Sequence, residues 1–273
     1  MFIGVFDSGF GGLTILKDLL IHLPEYDYIY LGDNARAPYG SRSFETVYQY
    51  TLQAVKKLFS LGAYLVILAC NTASAKALRT IQQKDLPKLD PNRRVLGVIR
   101  PSVEIIDSYT RTGKVGIFAT PGTINSRSYD LEIKKIYPDI QVYQQSCPMW
   151  VPLVENDEHL GEGADYFVKK YIKNLLNQNK DIDTIILACT HYPLLLPKIN
   201  KFLPSQIRLI SQGPIVAQSL KEYLTRHPEI KSKLFKTKKR IFLTTDIPEE
   251  FDKKASKFID NLIEINSLKV SLI

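Results

Sequence analysis

Cysteine is scarce in this 273-residue chain: Cys70, Cys147 and Cys189 are the whole complement, and no CxxC pair occurs. An odd, widely spaced set argues against a disulfide framework and offers no zinc-ligand spacing. Long apolar runs are missing too. The longest uninterrupted one is 63–70, far below the roughly 20 residues that a membrane-spanning helix requires. The opening Met1-Phe2-Ile3-Gly4-Val5-Phe6-Asp7 lacks a basic n-region, so it does not read as a signal peptide. Gly9-Phe10-Gly11-Gly12 fails the GxGxxG pattern, which removes the usual dinucleotide fingerprint. What is present is ordinary: 45% apolar and 23% charged residues, values that exclude a disordered or fibrous chain. The reading is a soluble, cytoplasmic protein with room for two α/β units and no need of disulfides or metal to fold.

A net charge of +8 raises the question of a nucleic-acid partner. Residues 201–273 hold 14 Lys/Arg against 8 Asp/Glu, and the excess gathers in 226–240. There Lys231, Lys233, Lys236, Lys238 and Lys239 share one stretch with a single acid, Glu229, and a single aromatic, Phe235. Without a zinc-finger or glycine-rich pattern beside it, this reads as a solvated basic segment rather than a nucleic-acid site. Charge so localised could still draw in an acidic small molecule.

Short β-branched apolar runs alternate with longer segments of helical period, the pattern of a parallel α/β fold. Strands are expected at 2–6, 28–31, 64–69, 95–99, 115–119, 141–144, 184–188, 208–210 and 240–244. Helices are expected at 13–23, 43–61, 74–83, 123–136, 163–177 and 214–226. The chain also echoes itself. Gly4-Val5-Phe6-Asp7-Ser8-Gly9 resembles Gly116-Ile117-Phe118-Ala119-Thr120-Pro121-Gly122, and Val66-Ile67-Leu68-Ala69-Cys70-Asn71-Thr72 resembles Ile185-Ile186-Leu187-Ala188-Cys189-Thr190-His191. Two echoes at nearly equal offset predict two similar α/β halves that face each other, with a seam near 92–97. Buried strands share apolar letters in any case, but that does not account for a cysteine at the tip of each.

Ligands in open parallel sheets bind beyond the carboxyl ends of the strands. Three strand ends run straight into small polar residues: Asp7-Ser8-Gly9-Phe10-Gly11-Gly12, Cys70-Asn71-Thr72-Ala73-Ser74 and Cys189-Thr190-His191-Tyr192-Pro193. Taken singly, each cysteine reads as buried and structural. Taken together, at matching places in facing halves, Cys70 and Cys189 would form a pair on opposite walls of one cleft. That suits inversion at carbon, in which a thiolate removes a proton from one face and a thiol returns one to the other. A following helix would favour the thiolate, and a modest shift from the ordinary thiol value would leave one partner charged. A Cys189–His191 hydrolase is a weaker reading, because residues two apart on a strand tip are expected to point apart. Cys147 reads as core. The loop Gly32-Asp33-Asn34-Ala35-Arg36-Ala37-Pro38-Tyr39-Gly40 offers the Asn34 amide, the Tyr39 hydroxyl, the Gly40 backbone and Arg36 to a carboxylate, though Arg36 could equally pair with Asp33.

Those four segments, in that order, resemble the signature segments of the glutamate racemase family over residues 2 to about 220. The resemblance implies an isomerase that interconverts L- and D-glutamate without cofactor or metal and supplies D-glutamate for peptidoglycan. It implies two pseudo-symmetric α/β domains, each a mainly parallel sheet flanked by helices, with the active site in the cleft between them. Domain limits of 1–96 plus 207–273 and 97–206 follow, along with a homodimer. Carried over by position, Cys70 and Cys189 match the catalytic thiols, and Asp7, Glu155 and His191 match auxiliary groups. Substrate contacts fall on Asp7, Ser8, Tyr39, Gly40, Asn71, Thr72, Thr190 and His191. Arg100 stands where the family usually has Glu, Ala188 where Gly is common, and Ser211-Gln212-Gly213-Pro214 where a Ser-Gly-Asp turn is usual. Alternative readings are a racemase of aspartate or another acidic amino acid, or a two-lobed amino-acid-binding protein without catalysis.

Overall fold

The computed structural model describes residues 1–272. Ten strands form two wholly parallel sheets. In chain order they are β1 (Phe2–Asp7), β2 (Tyr28–Gly32), β3 (Ala63–Leu68), β4 (Arg94–Gly97), β5 (Lys114–Ala119), β6 (Gln141–Ser146), β7 (Thr184–Ala188), β8 (Arg208–Ile210), β9 (Arg240–Thr244) and β10 (Ser267–Lys269). The first sheet runs β10-β9-β2-β1-β3-β4 and the second β6-β5-β7-β8. Within each, the order β2-β1-β3-β4 repeats as β6-β5-β7-β8. The internal echo is thus an echo of topology, with β1 matching β5 and β3 matching β7.

Helices cover both faces of each sheet, so central strands are buried along their length and read as continuous apolar runs. Every residue of β7 is buried, as is all of β1 after Phe2. Helix Leu13–His22 turns Leu13, Leu16, Leu19 and Leu20 inward. Helix Phe44–Ser60 opens on Ser43, whose Oγ accepts from the Thr46 amide at 3.1 Å and satisfies one of the free donors of the first turn. Among the described residues no helix is long and apolar enough to cross a membrane.

The strand expected at 208–210 is present and pairs with β7 at the edge of the second sheet. Several sequence expectations need correction. Strand 95–99 stops at Gly97, because Ile99 already opens the helix Ile99–Glu104 that carries the chain across. The helix expected at 123–136 divides into Pro121–Asn125 and Ser128–Ile136, with Arg127 between them at a left-handed φ of 55°. The helix expected at 74–83 starts at Asn71 and gives way to a π-turn at Ile81–Asp85. Strand β10 and helices Trp150–Glu155 and Pro248–Phe258 were not foreseen.

Trp150, the sole tryptophan, is fully buried beside β5. Its ring lies 4.9 Å from Phe118, 4.8 Å from Tyr192 and 5.9 Å from Tyr171, which ties helix Trp150–Glu155 to the second sheet. Trp150→Ala is expected to cost about 3–5 kcal/mol in urea denaturation followed by circular dichroism. A cost below about 1 kcal/mol would show that this aromatic cluster does not anchor the lobe.

Candidate active site

The carboxyl ends of β1, β3, β5 and β7 open onto one cavity of about 200 Å³. Cys70 and Cys189 both line it, each 6% exposed, one from each lobe. Ser8, Tyr39, Gly40, Asn71, Thr72, Thr190, His191 and Glu155 line it as well. Asp7 lies behind this wall, fully buried, with Oδ1 accepting from the Gly9 amide at 2.9 Å and Oδ2 from Thr190 Oγ1 at 3.4 Å. That second bond crosses from one lobe to the other. So do Gly122 N to Gly40 O at 2.7 Å and the Thr72–Thr120 hydroxyl pair at 2.9 Å.

Gly11 makes the approach of the lobes possible. A Cβ there would overlap the Thr190 hydroxyl and sit 2.5 Å from His191 Nδ1. A larger cavity, about 730 Å³, lies behind Cys189 against helices Leu13–His22 and Pro248–Phe258, but only one thiol reaches it. The smaller cavity is the one with opposed thiols.

The surroundings of the two sulfurs differ. Cys70 precedes helix Asn71–Lys76, and its Sγ accepts from the Ala73 amide at 3.4 Å and donates to Ser8 Oγ at 3.5 Å. Burial and the nearby Asp7 charge outweigh those bonds and push the Cys70 thiol up to about 12. The expected thiolate-favouring shift is therefore reversed at Cys70. Burial likewise raises Asp7, although His191 and the Gly9 and Gly12 amides oppose it.

On the other wall, His191 Nδ1 lies 3.9 Å from Cys189 Sγ and Nε2 lies 3.0 Å from Glu155 Oε1. The expectation that Cys189 and His191 point apart fails because the chain leaves the strand after Ala188 and turns, with His191 already in helical backbone. Burial alone would lower the imidazole. The Cys189 sulfur and the Glu155 carboxylate overcome it and push His191 up to about 10. Burial would raise Glu155, but His191 and Lys254 hold it below its ordinary value.

Several candidate contacts are already committed. Arg36 donates to Asp33 through Nε at 2.7 Å and to Gln53 through Nη1 at 2.6 Å, the Tyr39 hydroxyl also donates to Asp33, and Arg36 is not among the residues lining the cavity. Asn34 accepts from the Thr244 hydroxyl through Oδ1, while its Nδ2 has no partner among the described residues and does not line the cavity. Asn71 gives its amide to Gln212 Oε1 at 2.6 Å and accepts from the Tyr129 hydroxyl at 2.7 Å. Cys147, expected in the core, is fully buried yet borders the cavity. Thr120 and Gln212 escaped notice as site residues. The first was legible, since the echo sets Thr120 opposite Ser8. Gln212 carried no signal beyond its place in the unusual Ser211-Gln212-Gly213-Pro214 turn. Arg100 is remote from the cavity and pairs with Glu104 at 2.8 Å. Among the described residues no group of three or more His, Cys, Asp or Glu side chains is set to hold a metal ion.

A model of the Asp/Glu/hydantoin racemase family matches residues 16–220. A glutamate racemase of Roseobacter denitrificans is 38% identical over 277 residues, covering 98% of this chain and 100% of that protein. The chain belongs to the glutamate racemase family. Two solved family structures share its fold. A glutamate racemase isoform from Bacillus anthracis matches with a TM-score of 0.89 at 32% identity, covering 99% of this chain and 97% of that one. The glutamate racemase from Francisella tularensis, solved in complex with D-glutamate, matches with 0.87 at 35% identity and the same coverage.

The ion pair makes a pH prediction. With its native pKa raised to about 10, His191 contributes stability that is fully present below its unfolded value near 6.5 and is lost as pH rises through about 10. Glu155→Gln is therefore expected to lower the Tm most near pH 6 and hardly at all above pH 10. NMR of the His191 ring should show imidazolium at pH 8 in the parent and a downward-shifted titration in Glu155→Gln. A neutral imidazole at pH 8 in the parent would contradict the arrangement.

Proposed function

We propose that the chain interconverts L- and D-glutamate by two-thiol acid–base chemistry, with Cys70 and Cys189 acting from opposite walls. The observation that carries this reading is the presence of both cysteines, from equivalent strand tips, in one small cavity where each is 6% exposed. In each direction one sulfur takes the Cα proton, the carbon becomes a carbanion, and the opposite thiol supplies a proton to the other face. The two sulfurs exchange protonation states, and the free enzyme resets by proton exchange or by reverse turnover.

The cost lies in the carbanion and in the starting thiolate, and fixed charges are placed to meet it. An imidazolium faces the Cys189 sulfur and offers Coulombic support to negative charge developing there. Ser8 and the Ala73 amide do the same for Cys70, with the substrate ammonium as a further source once bound. Asp7, its pKa raised by burial, is suited to share a proton with its neighbours. Glu155 acts through His191 as a positioning group. With the Tyr39 hydroxyl and Asn71 side chain committed, these residues serve the substrate through backbone groups and cavity shape. The proposal includes a homodimer, a cytoplasmic location and supply of D-glutamate to peptidoglycan, and these rest on family resemblance. The domains are taken to divide near residue 97 and again after residue 210.

Chiral chromatography of purified protein incubated with L-glutamate tests the activity; binding without appearance of D-glutamate would instead favour an amino-acid-binding protein. Cys70→Ser and Cys189→Ser should each lose most racemisation in both directions, with the double variant little worse, because the thiols act as a unit. Cys147→Ser should keep activity and cost on the order of 1 kcal/mol of stability. An inactive but folded Cys147→Ser protein would mean that the wrong sulfurs have been paired.

Aspartate places its distal carboxylate one methylene short, leaving polar partners unmatched, and such mismatches are penalised strongly. Glutamate should therefore be the better substrate. Equal kcat/KM for the two would refute that selectivity while leaving the thiol chemistry intact.

A further inference from the structure

Helix Asn71–Lys76 begins at the cavity with Asn71 and Thr72 and ends on a lysine that is only 8% exposed. The other residues of that helix, Asn71-Thr72-Ala73-Ser74-Ala75, are small or uncharged. A lysine is rarely buried without a partner, because removing an ammonium from water is costly. Here Nζ donates to the carbonyl of Arg42 at 2.6 Å, and no carboxylate pairs with it among the described residues. Its other two N–H groups have no acceptor among the described residues. Burial lowers the Lys76 pKa, as expected for a cation lacking a counter-charge.

The ammonium sits where the lobes meet. A Cβ built on Gly122 would lie 3.1 Å from Lys76 Nζ, 3.2 Å from Thr72 Cγ2 and 2.7 Å from Gly40 O. Those neighbours belong to the inter-lobe junction of the Gly122–Gly40 bond and the Thr72–Thr120 hydroxyl pair, and Gly40, Thr72 and Thr120 line the cavity. The cation thus stands directly behind one part of the cavity wall. A different part of the wall carries Glu155, with Asp7 buried behind it. Glu155 is paired there with His191, so that side largely cancels its own charge, and the unpaired Lys76 ammonium sets the attraction for a second carboxylate.

We propose that Lys76 is a specificity-determining residue whose buried ammonium, one layer behind the Gly40–Thr72–Thr120 wall, selects substrates with a side-chain carboxylate. The inference rests on the racemase reading of this cavity and names the source of its preference for an acidic amino acid. Lys76 acts across the wall by charge, without touching the reacting atoms, and in surroundings of lower dielectric than water such attraction carries over several ångströms. The Arg42 carbonyl holds the ammonium in place, and an arriving carboxylate supplies the counter-charge that the fold withholds.

Lys76→Met removes the charge and keeps the side-chain length; Lys76→Gln also keeps a donor for the Arg42 carbonyl. In both, KM for glutamate should rise about tenfold or more while kcat changes less than about threefold. Calorimetric binding of glutamate should weaken by a similar factor, whereas that of glutamine, which lacks the distal charge, should not. A merely structural lysine would move kcat and both ligands together. Unchanged glutamate affinity, or equal losses for glutamate and glutamine, would overturn the proposal. Unfolding of both variants would also overturn it, since the ammonium would then serve the fold. The binding arm needs no turnover, so a parent protein that binds glutamate without racemising it would refute the proposed activity and still decide the role of Lys76.

Discussion

Everything in the site depends on the carboxyl ends of two parallel sheets being held face to face. Parallel strands deliver their following loops to one edge, and two copies of the order β2-β1-β3-β4 set those edges against each other. The cavity stays small because the lobes are stitched across it by Thr190 to Asp7, Gly122 to Gly40 and Tyr129 to Asn71. Residues expected to greet a ligand instead bond other side chains. Asn71, Thr72 and Tyr39 act as masonry, and their commitments fix where the thiols stand.

Within that frame the walls are electrostatically unlike. One sulfur faces an imidazole that Cys189 and Glu155 together push toward its charged form against burial; the other has its thiol pushed up by burial and, after it, by the Asp7 charge. The lobes are related by topology but not by charge, because Ala119 stands where the echo sets Asp7 and Thr72 where it sets His191. Forward and reverse proton transfers would therefore, in the proposed chemistry, begin from different ground states. In the proposed chemistry, the bound ammonium and the charge behind each thiol are what make an otherwise protonated Cys70 usable as a base.

Much of this was legible in the sequence. All nine expected strands occur, because buried parallel strands are apolar, β-branched and bounded by turn residues. The duplicated Ala-Cys pair gave the opposed thiols before any coordinate, and the same echo pointed to Thr120. What escaped notice depends on distance in space rather than in sequence. Gln212 reaches Asn71, Ser102 and Tyr129 from three other segments, and no local pattern announces such convergence. The raised Cys70 thiol arises from burial, which the helix-start argument left out. His191 was misjudged by treating the chain beyond Ala188 as strand. Strand β10 has three residues, two of them exposed at a sheet edge, too few for a periodic signal.

The central claim is that proton removal and proton delivery use different groups on opposite faces. Early time points in heavy water test it most directly, with L-glutamate as the starting material and both enantiomers analysed by mass spectrometry. The account predicts that D-glutamate carries deuterium at Cα from the first turnover while recovered L-glutamate remains protiated. Deuterium entering the L-glutamate pool as fast as it enters product, or D-glutamate that retains its original hydrogen, would place removal and delivery on a single group and contradict the two-wall arrangement.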